Sequence, residues 1–381
     1  MPSKDEMKLF VQPDAGLEPI LAAIRRAKKT IQILIFRLDR PEIEKALFEA
    51  VERGVAVQAL VAYTNRGGDK VLRRFEMRSL ERGVTVTRTA DDLVRYHGKM
   101  LIIDGKELLL LAFNFTHLDI RMSRSFAIST TDKKLVGEAV RLFECDSKRM
   151  PYEAGCAAFV VSPVNAREQL IAFIKGAKKQ LLMYEMKISD NEFVKLLNEK
   201  ISTGVDVRVI GSTSNKGRTL PARKLPMRLH ARAMVRDGKA VFLGSQSLRK
   251  LELEARREIG VIVKDAKIAK EIVAVFDKDW SSATPVQAAS EVGDLINLPA
   301  KKVARKVVKE LNLIPAVEQV VDRVLERKED AEVDPKQLVE GVREAMRDEV
   351  HAAVQNALHE LVTAAAANGE SVKESKNGAK E

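Results

Sequence analysis

The sequence has little of what defines several protein classes. Only two of its 381 residues are cysteine, Cys145 and Cys156, which are too few for a disulfide framework and lack metal-site spacing. No uninterrupted apolar stretch reaches the roughly 18 residues of a membrane-spanning helix, and the first residues lack a hydrophobic signal core. Because 45% of the residues are hydrophobic, disorder throughout and low-complexity composition are also excluded. We therefore expect a folded cytoplasmic protein of two or three domains, or of one large compact unit with an appendage.

Positive charge is concentrated in the first three quarters of the chain. The formal net charge is +11, yet residues 285–381 hold 14 Lys and Arg against 18 Asp and Glu. Residues 1–284 therefore carry the whole positive excess, a net charge of +15. A field of this sign attracts anions such as nucleic acid, anionic lipid surfaces or phosphorylated small molecules. It does not discriminate among them.

An internal repeat organises the same part of the chain. Residues 20–61 read ILAAIRRAKKTIQILIFRLDRPEIEKALFEAVERGVAVQALV, and residues 170–210 read LIAFIKGAKKQLLMYEMKISDNEFVKLLNEKISTGVDVRVI. Each runs through a helix, a strand, a second helix and a second strand. The repeat resumes at residues 96–129 and 229–263. Short strands that alternate with helices predict an α/β fold with mostly parallel β-α-β packing.

The repeat divides the chain into predicted domains. Two homologous lobes of mixed, mostly parallel sheet cover residues 1–150 and 151–284 and pack about a pseudo-twofold axis. After Trp280 the strand pattern stops, and apolar residues at helical spacing predict an all-helical extension over residues 285–368. Residues 369–381 are polar and predict a disordered tail. We expect the helices of the extension to pack on the body or on a second copy of the chain, which would make a homo-oligomer.

Two of the five histidines occupy equivalent places in the two repeats. Their motifs, HGKMLIID and HARAMVRD, share the pattern His-x-basic-x4-Asp and are each followed by Gly-Lys. The residues that carry the pattern are His97, Lys99 and Asp104, then His230, Arg232 and Asp237. Residues two apart on an extended segment point to the same face, so each histidine and its basic partner can address one anion. The aspartate lies past the strand, and we expect it to brace a turn or orient a group across the repeat.

The doubled motif resembles the signature of the phospholipase D superfamily, His-x-Lys-x4-Asp. The resemblance covers about residues 17–280 and leaves the C-terminal hundred residues outside it. In that family a Gly-Ser-x-Asn element and a later acidic residue follow each motif. Here the first half keeps Asn114 but has Ser125 at the acidic position, whereas the second half keeps Ser245 and Glu258. The resemblance therefore implies one composite site with complementary losses in its two halves.

The resemblance also implies a metal-independent phosphodiesterase that works through a phosphohistidine. One imidazole attacks phosphorus and the other protonates the leaving alkoxide, so the pair shares one net proton. We predict His97 as the nucleophile and His230 as the acid. Cationic side chains would hold the phosphate oxygens, neutral ones would add hydrogen bonds, and a carboxylate would fix a histidine tautomer. The five residues in these roles are Lys99, Arg232, Asn114, Ser245 and Glu258.

Three basic residues crowd the approach to the second motif. Arg223, Lys224 and Arg228 are predicted to bind and steer an anionic substrate. No cofactor is implied, and no metal site is indicated, because Asp104 and Asp237 each stand beside a basic residue rather than in a carboxylate cluster.

Three functions stay open for this site. The first is phospholipid hydrolysis or phosphatidyl transfer, because residues 36–61 resemble bacterial cardiolipin synthases; contact with an anionic membrane, at its inner face, would be peripheral. The second is a metal-independent nuclease, favoured by the basic body but opposed by a single Trp and four Tyr, which are few for base stacking. The third is a catalytically degenerate phosphate-binding or assembly protein, favoured by the altered second half and the helical tail.

Overall fold

The computed structural model describes residues 7–63, 69–214, 217 and 219–286. The chain up to Val286 forms one unit. The predicted helical extension and tail lie outside the described residues, except that Thr284–Pro285 form a short final strand. Among the helices in the described part of the chain, none combines the length and the apolar character needed to cross a membrane.

Strands and helices alternate in the first half of the unit, which we term the first lobe. Helix α2 begins at Pro41, whose fixed φ suits a first helical turn, and the chain after it turns at Gly54 with φ 84°. The elements of this lobe, in order, are β1 (Met7–Gln12), α1 (Glu18–Arg26), β2 (Thr30–Ile35), α2 (Pro41–Glu52), β3 (Ala56–Val61), α3 (Asp69–Glu81), β4 (Thr85–Arg88), β5 (Arg95–Tyr96), β6 (Met100–Ile103), β7 (Glu107–Leu111), α4 (His117–Arg121), β8 (Ser123–Thr130) and α5 (Lys133–Lys148).

The second half, or second lobe, repeats this order. From the histidine motifs onward, equivalent positions are 133 residues apart, so that α4 matches α8 and α5 matches α9. Helix α3 has no counterpart among the described elements. The elements of this lobe, in order, are β9 (Phe159–Val161), α6 (Ala166–Lys175), β10 (Gln180–Ile188), α7 (Asn191–Ser202), β11 (Asp206–Thr213), β12 (Ala222–Lys224), β13 (Arg228–Leu229), β14 (Arg232–Arg236), β15 (Ala240–Gly244), α8 (Lys250–Glu254), β16 (Arg256–Arg257), β17 (Ile259–Val263), α9 (Ala266–Ser282) and β18 (Thr284–Pro285).

Two mixed sheets form the body, as the repeat predicts. The first has the order β1-β8-β7-β6-β2-β3-β4, and the second has the order β18-β12-β11-β10-β14-β15-β17-β9. The prediction of mostly parallel sheets is wrong in detail. Parallel pairing within each lobe is confined to β2-β3-β4 and β10-β11-β12, whereas β6-β7-β8 and β14-β15-β17 are antiparallel. Tight turns at Gly105 and Gly238, both with positive φ, reverse the chain from β6 to β7 and from β14 to β15.

Alternation along the central strands creates three apolar layers. Met100 and Ile102 of β6 face a core shared by both sheets, while Leu101 and Ile103 face a core inside the first lobe. On the second sheet, Met234 likewise faces a separate core of the second lobe. Helices α5 and α9 contribute to the shared core. The sheets therefore share one core, which includes α5 and α9, while α1, α2 and α3 cover the other side of the first sheet and α6 and α7 the other side of the second.

The lobes are tied together by equivalent contacts, which confirms a pseudo-twofold body. Strand β13 pairs with β8 of the first lobe, and β16 pairs with β5. Arg124 binds Asp279 at 2.7 Å, and Arg257 binds Asp146 at 3.2 Å, and all four side chains are buried. These strand pairs and salt bridges are related by the same offset of 133 residues.

Candidate functional site

His97 and His230 are held by the main chain of the opposite lobe. His97 follows β5, and its backbone N–H donates to the carbonyl of Arg257 at 2.7 Å. His230 follows β13, and its backbone N–H donates to the carbonyl of Arg124 at 3.0 Å. Both histidines are buried, with 6% exposure. The two strand pairs between the lobes, β13-β8 and β16-β5, therefore place both imidazoles at the junction between the sheets.

His97 is surrounded by an acid, a cation and an aromatic ring. Its Nδ1 lies 2.9 Å from Oε2 of Glu258, and the Lys99 ammonium lies 3.0 Å from each ring nitrogen. The Phe36 ring packs against the imidazole at an interplanar angle of 71°, with ring centroids 4.5 Å apart. Burial, and then the positive charge of Lys99, hold the pKa of His97 well below its ordinary value. His97 is therefore neutral near pH 7.

The structure brings four of the predicted site residues together. The charges of Arg232 and His230 lower the pKa of His97, and the charges of Arg232 and Lys99 lower the pKa of His230. Burial brings the pKa of Lys99 itself down to about 7. Such mutual effects need separations of a few ångströms in a buried environment. His97, Lys99, His230 and Arg232 thus share one electrostatic site.

Asp119, which the motif analysis did not identify, holds His230. Its Oδ2 lies 3.0 Å from Nδ1 of His230 and accepts the backbone and side-chain N–H groups of Asn114 at 2.9 and 2.7 Å. Its Oδ1 accepts from Arg228 at 2.5 Å. Burial alone would raise the pKa of Asp119, but these contacts bring it well below its usual range. Burial lowers the pKa of His230 to about 4, and the bond to Asp119 opposes that fall.

The two histidine-binding carboxylates occupy non-equivalent positions in the repeat. Glu258 corresponds to Ser125, whose hydroxyl instead donates to the carbonyl of His230 at 2.7 Å. Asp119 lies six residues before Ser125, on α4. The first lobe therefore has no carboxylate at the position of Glu258 and supplies one from another element, α4.

A weak signal in the sequence could have found Asp119. An acid follows the Asn position by five residues in both halves, Asp119 after Asn114 and Glu252 after Ser247. In the structure, both carboxylates accept the backbone N–H of that earlier residue, at 2.9 and 3.0 Å. The repeated spacing marks a shared structural contact, and only the fold shows that one of the two acids also reaches an imidazole.

Arg232 keeps an uncommitted donor at the site. Its Nε donates to the Ser247 hydroxyl at 3.0 Å, whereas its buried Nη1 has no partner among the described residues. Glu185 stands opposite Arg232 on the neighbouring strand. Burial raises the pKa of Glu185 to about 7 against the opposing charge of Arg232. Arg232 can therefore bind a phosphate oxygen through Nη1 without giving up its bond to Ser247.

We predicted Asn114 and Ser245 as neutral donors to a phosphate. The Asn114 amide uses one of its two N–H donors on Asp119, and its acceptor Oδ1 is buried without a partner among the described residues. The Ser245 hydroxyl bonds to the backbone of Ile259, accepting its N–H at 3.1 Å and donating to its carbonyl at 3.3 Å. The Ser245 donor is therefore used within the protein, whereas the role of Asn114 stays a prediction.

Asp104 and Asp237 lie away from the histidines. Each stands seven residues after its histidine along an extended segment, which corresponds to roughly 20 Å. Each accepts three successive backbone N–H groups, of residues 28–30 and 178–180, at 2.7–3.1 and 2.7–3.2 Å. They brace the turns before β2 and β10, as the sequence suggested. They do not lie beside the two imidazoles that we expect to react.

Only one of the three predicted rim residues touches the site. Arg228 reaches it through Asp119. Arg223 instead lies over the ring of Trp280 at 4.4 Å and donates to its carbonyl at 2.9 Å, and Lys224 is exposed on β12. No contact among the described residues joins Arg223 or Lys224 to the two histidines, and β12 lies toward one edge of the second sheet, so their substrate-binding role stays a prediction.

The polar groups at the site suit an oxyanion. Arg232 Nη1 and the Lys99 ammonium are N–H donors beside two imidazoles. Within the described ranges, no three His, Cys, Asp or Glu side chains are grouped closely enough to hold a metal ion. Charged N–H donors of this kind bind phosphate strongly.

Comparisons with known proteins agree with this fold. A family model described as the cardiolipin synthase, phospholipase D-like domain matches residues 20–147 and 170–280. The structure of phosphatidylserine synthase from Haemophilus influenzae Rd KW20 is similar with a TM-score of 0.61 and 12% identity, over 81% of this chain and 93% of that one. Polyphosphate kinase from Porphyromonas gingivalis is similar with a TM-score of 0.62 and 20% identity, over 74% of this chain. The match spans about half of that kinase, 49%. No curated protein sequence matches the chain.

Proposed function

The chain belongs to the family of cardiolipin synthase phospholipase D-like domains, and we propose that it is a metal-independent phosphodiesterase that hydrolyses phospholipids or transfers their phosphatidyl group. One observation carries the proposal: two buried imidazoles, His97 and His230, each have a carboxylate at Nδ1 and share two cations, Lys99 and Arg232. Membership in the family supports phosphodiester transfer in general. That the substrate is a phospholipid is our more specific proposal.

His97 is the nucleophile in this proposal. A carboxylate at Nδ1 fixes the tautomer that carries its proton there, which leaves the Nε2 lone pair for phosphorus. The depressed pKa keeps the ring neutral, as attack requires. The Lys99 ammonium is 3.0 Å from Nε2, so it can bind a non-bridging oxygen of a phosphate that Nε2 attacks. Attack forms the Nε2–P bond and breaks the bond from phosphorus to the leaving alkoxide.

His230 is the general acid. The ionised Asp119 at its Nδ1 favours the imidazolium, whereas burial raises the pKa of Glu258 beside His97. The shared proton is therefore favoured on His230 rather than on His97, and the negative charge of a bound phosphate raises the pKa of the His230 ring from the value of about 4 that burial gives it. His230 gives its proton to the leaving alkoxide and then takes one from the attacking water or alcohol. Water completes hydrolysis, and an alcohol completes transfer.

Charge that develops on the phosphate oxygens is held by Lys99 and by Nη1 of Arg232. The unpartnered Oδ1 of Asn114 is an acceptor, so it suits a hydroxyl group of the substrate or acceptor rather than a phosphate oxygen.

A metal-independent nuclease is the second candidate. The observation in its favour is the net charge of +15 on residues 1–284, since tracking a nucleic acid backbone requires a basic surface. The same chemistry at the two histidines would then act on a DNA or RNA phosphodiester.

One experiment separates these functions. Purified protein in EDTA is incubated with phospholipid vesicles and a primary alcohol, and in parallel with single- and double-stranded DNA, beside the His97→Ala variant. We expect phosphatidyl alcohol in the first reaction and an acid-labile phosphoryl or phosphatidyl adduct that is missing from the variant. Shortened or nicked DNA would instead establish the nuclease. No product and no adduct in either reaction would overturn both and leave a phosphate-binding protein.

A further inference from the structure

The surface beside His230 differs from the equivalent surface beside His97. Each histidine follows a short strand, β13 or β5, which pairs with the residues that come after helix α4 or α8 of the other lobe. The segment before each strand and the outer face of each short helix therefore form one side of the site, the His230 side or the His97 side. Because the two sides are equivalent in the repeat, a difference between them is a departure from the pseudo-twofold arrangement.

Three exposed apolar side chains lie together on the His230 side. Leu118 and Met122 are one helical turn apart, since the Met122 N–H donates to the Leu118 carbonyl at 3.2 Å. They are 50% and 57% exposed. Met227 is 36% exposed and immediately precedes β13. Since β13 pairs with the residues that follow Met122, Met227 lies beside Met122 across the boundary between the lobes. We term these three residues the apolar patch.

The apolar patch lies where the site is closest to solvent on this side. Leu118 precedes Asp119, the carboxylate that binds His230. Met227 precedes Arg228, which donates to the same carboxylate at 2.5 Å. The Arg228 side chain is 38% exposed, whereas Asp119 is buried. Here only one layer of side chains therefore separates the surface from the imidazole.

The exposed charge on the two sides has opposite sign. On the His230 side, Arg121 of α4 lies between Leu118 and Met122 in sequence, and Lys224 stands six residues before its histidine. On the His97 side, the residues at these two positions are acidic and exposed, Glu254 and Asp91.

Such a combination of apolar and basic residues complements an anionic lipid surface. Apolar side chains enter the boundary between headgroups and acyl chains, and nearby cations are attracted to the lipid phosphates. The same surface repels the exposed acids of the His97 side.

We propose that the apolar patch, flanked by Arg121 and Lys224, docks this protein on an anionic phospholipid bilayer, with the His230 side of the site toward the membrane. The inference rests on the proposed function, because it takes the substrate lipid from that bilayer. A nucleic acid would use the two cations but gain nothing from the exposed Leu and Met side chains. A second copy that paired through the same patch would bring like charges together.

Vesicle binding by the full chain tests the apolar patch without requiring turnover. The vesicles are phosphatidylcholine with about one third phosphatidylglycerol, and binding is measured by flotation. The test variants are Leu118→Gln with Met122→Gln and, on the other lobe, Met227→Gln. The matched control is Met77→Gln with Leu80→Gln, which changes two apolar residues of α3 that are 61% and 55% exposed. Thermal unfolding checks that every variant is folded.

We expect Leu118→Gln with Met122→Gln to weaken vesicle binding about tenfold and Met227→Gln about threefold, because apolar surface no longer enters the bilayer. The α3 control should bind like the unchanged protein. Vesicles of phosphatidylcholine alone should bind the unchanged protein about tenfold more weakly, since the attraction of the two cations is lost.

No vesicle binding by the unchanged protein, or equal binding by it and all the variants, would overturn the docking surface. It would also be overturned if the test variants lost affinity for a DNA duplex as much as for vesicles, which would assign the patch to nucleic acid. A dimer of the unchanged protein that the test variants dissociate would assign it to a second copy and overturn the proposal too. Weakened vesicle binding in a protein that turns over no lipid would contradict only the proposed function.

Discussion

Replacing Asp119 by asparagine tests whether this relocated carboxylate keeps His230 in its catalytic state. The substitution preserves the size of the side chain and removes its charge. An amide has one acceptor oxygen, so it cannot accept from Asn114 and Arg228 and also face the Nδ1 proton of His230, as the carboxylate does. We expect a folded protein in which the imidazole of His230 is poorly oriented and seldom protonated.

The magnitude follows from the contact that is lost. A hydrogen bond to a charged group contributes about 1.5–3 kcal/mol, and about 1.4 kcal/mol changes a rate tenfold. Because Asp119 opposes the effect of burial on His230, its removal moves the pKa of that ring below its value of about 4. A smaller protonated fraction of the acid then lowers turnover further. We therefore expect kcat to fall about 100-fold, with little change in KM.

The assay is turnover of bis(4-nitrophenyl) phosphate, accompanied by a nitrogen-15 NMR titration of the histidine rings. Glu252→Gln is the control, because Glu252 is the equivalent residue, is equally buried at 2% exposure and binds two arginines but no imidazole. It should lose stability without a comparable loss of kcat. A merely structural role for Asp119 would make the two variants behave alike and would leave the pKa of His230 unmoved.

A rescue variant sharpens the result. Adding Ser125→Glu to Asp119→Asn moves the carboxylate to the position that Glu258 occupies in the other half. The pseudo-twofold arrangement directs it toward His230, and at least a tenfold recovery of kcat is expected, since this restores a charge-assisted contact. If Asp119→Asn alone keeps kcat within about threefold of the unchanged enzyme, Asp119 has no positioning role.

Three further predictions concern the remaining site and the lobe junction. Because the pKa of Lys99 is lowered to about 7, the ammonium loses its proton as pH rises through that value, and kcat/KM should then fall about tenfold per pH unit; Lys99→Arg should remove this alkaline limb from the pH profile. His97→Ala and His230→Ala should each abolish turnover, while circular dichroism and thermal unfolding show a folded protein; a fully active single variant would refute the paired site. The unchanged enzyme should stay active in EDTA. Asp279→Leu leaves the buried Arg124 without its ion pair, so urea denaturation should show a free energy of unfolding lower by about 3–5 kcal/mol.

The element order was predictable because its signals are local. Pro41 at the start of α2 and Gly54 after its end are visible in the sequence, and the two repeats reinforce each other. The direction of strand pairing was not predictable, because the alternation of apolar residues along a strand does not specify which strands pair with it. The turn glycines, Gly105 and Gly238, account for one antiparallel pair in each lobe, β6-β7 and β14-β15, and the other pairs depend on how the whole chain folds.

The candidate site was predictable only within each motif. The His-x-basic pairs lie two residues apart, so their shared location follows from a short extended segment. The contact between His97 and Glu258 spans 161 residues, and that between His230 and Asp119 also crosses the lobes. Nothing in the spacing distinguishes Asp119 from Glu252, because the difference depends on the tertiary contacts: Arg228 of the other lobe reaches Asp119, whereas Arg256 of the same lobe reaches Glu252.

The strand pairs between the lobes also restrict how a substrate can enter the site. The main-chain hydrogen bonds of β5 to β16 and of β13 to β8 continue directly into the bonds that hold His97 and His230. A hinge motion that separated the sheets would break these bonds and misplace both imidazoles at once. Entry and exit must therefore depend on side chains and loops at the rim, and product release should respond to changes there while the catalytic pair stays rigid.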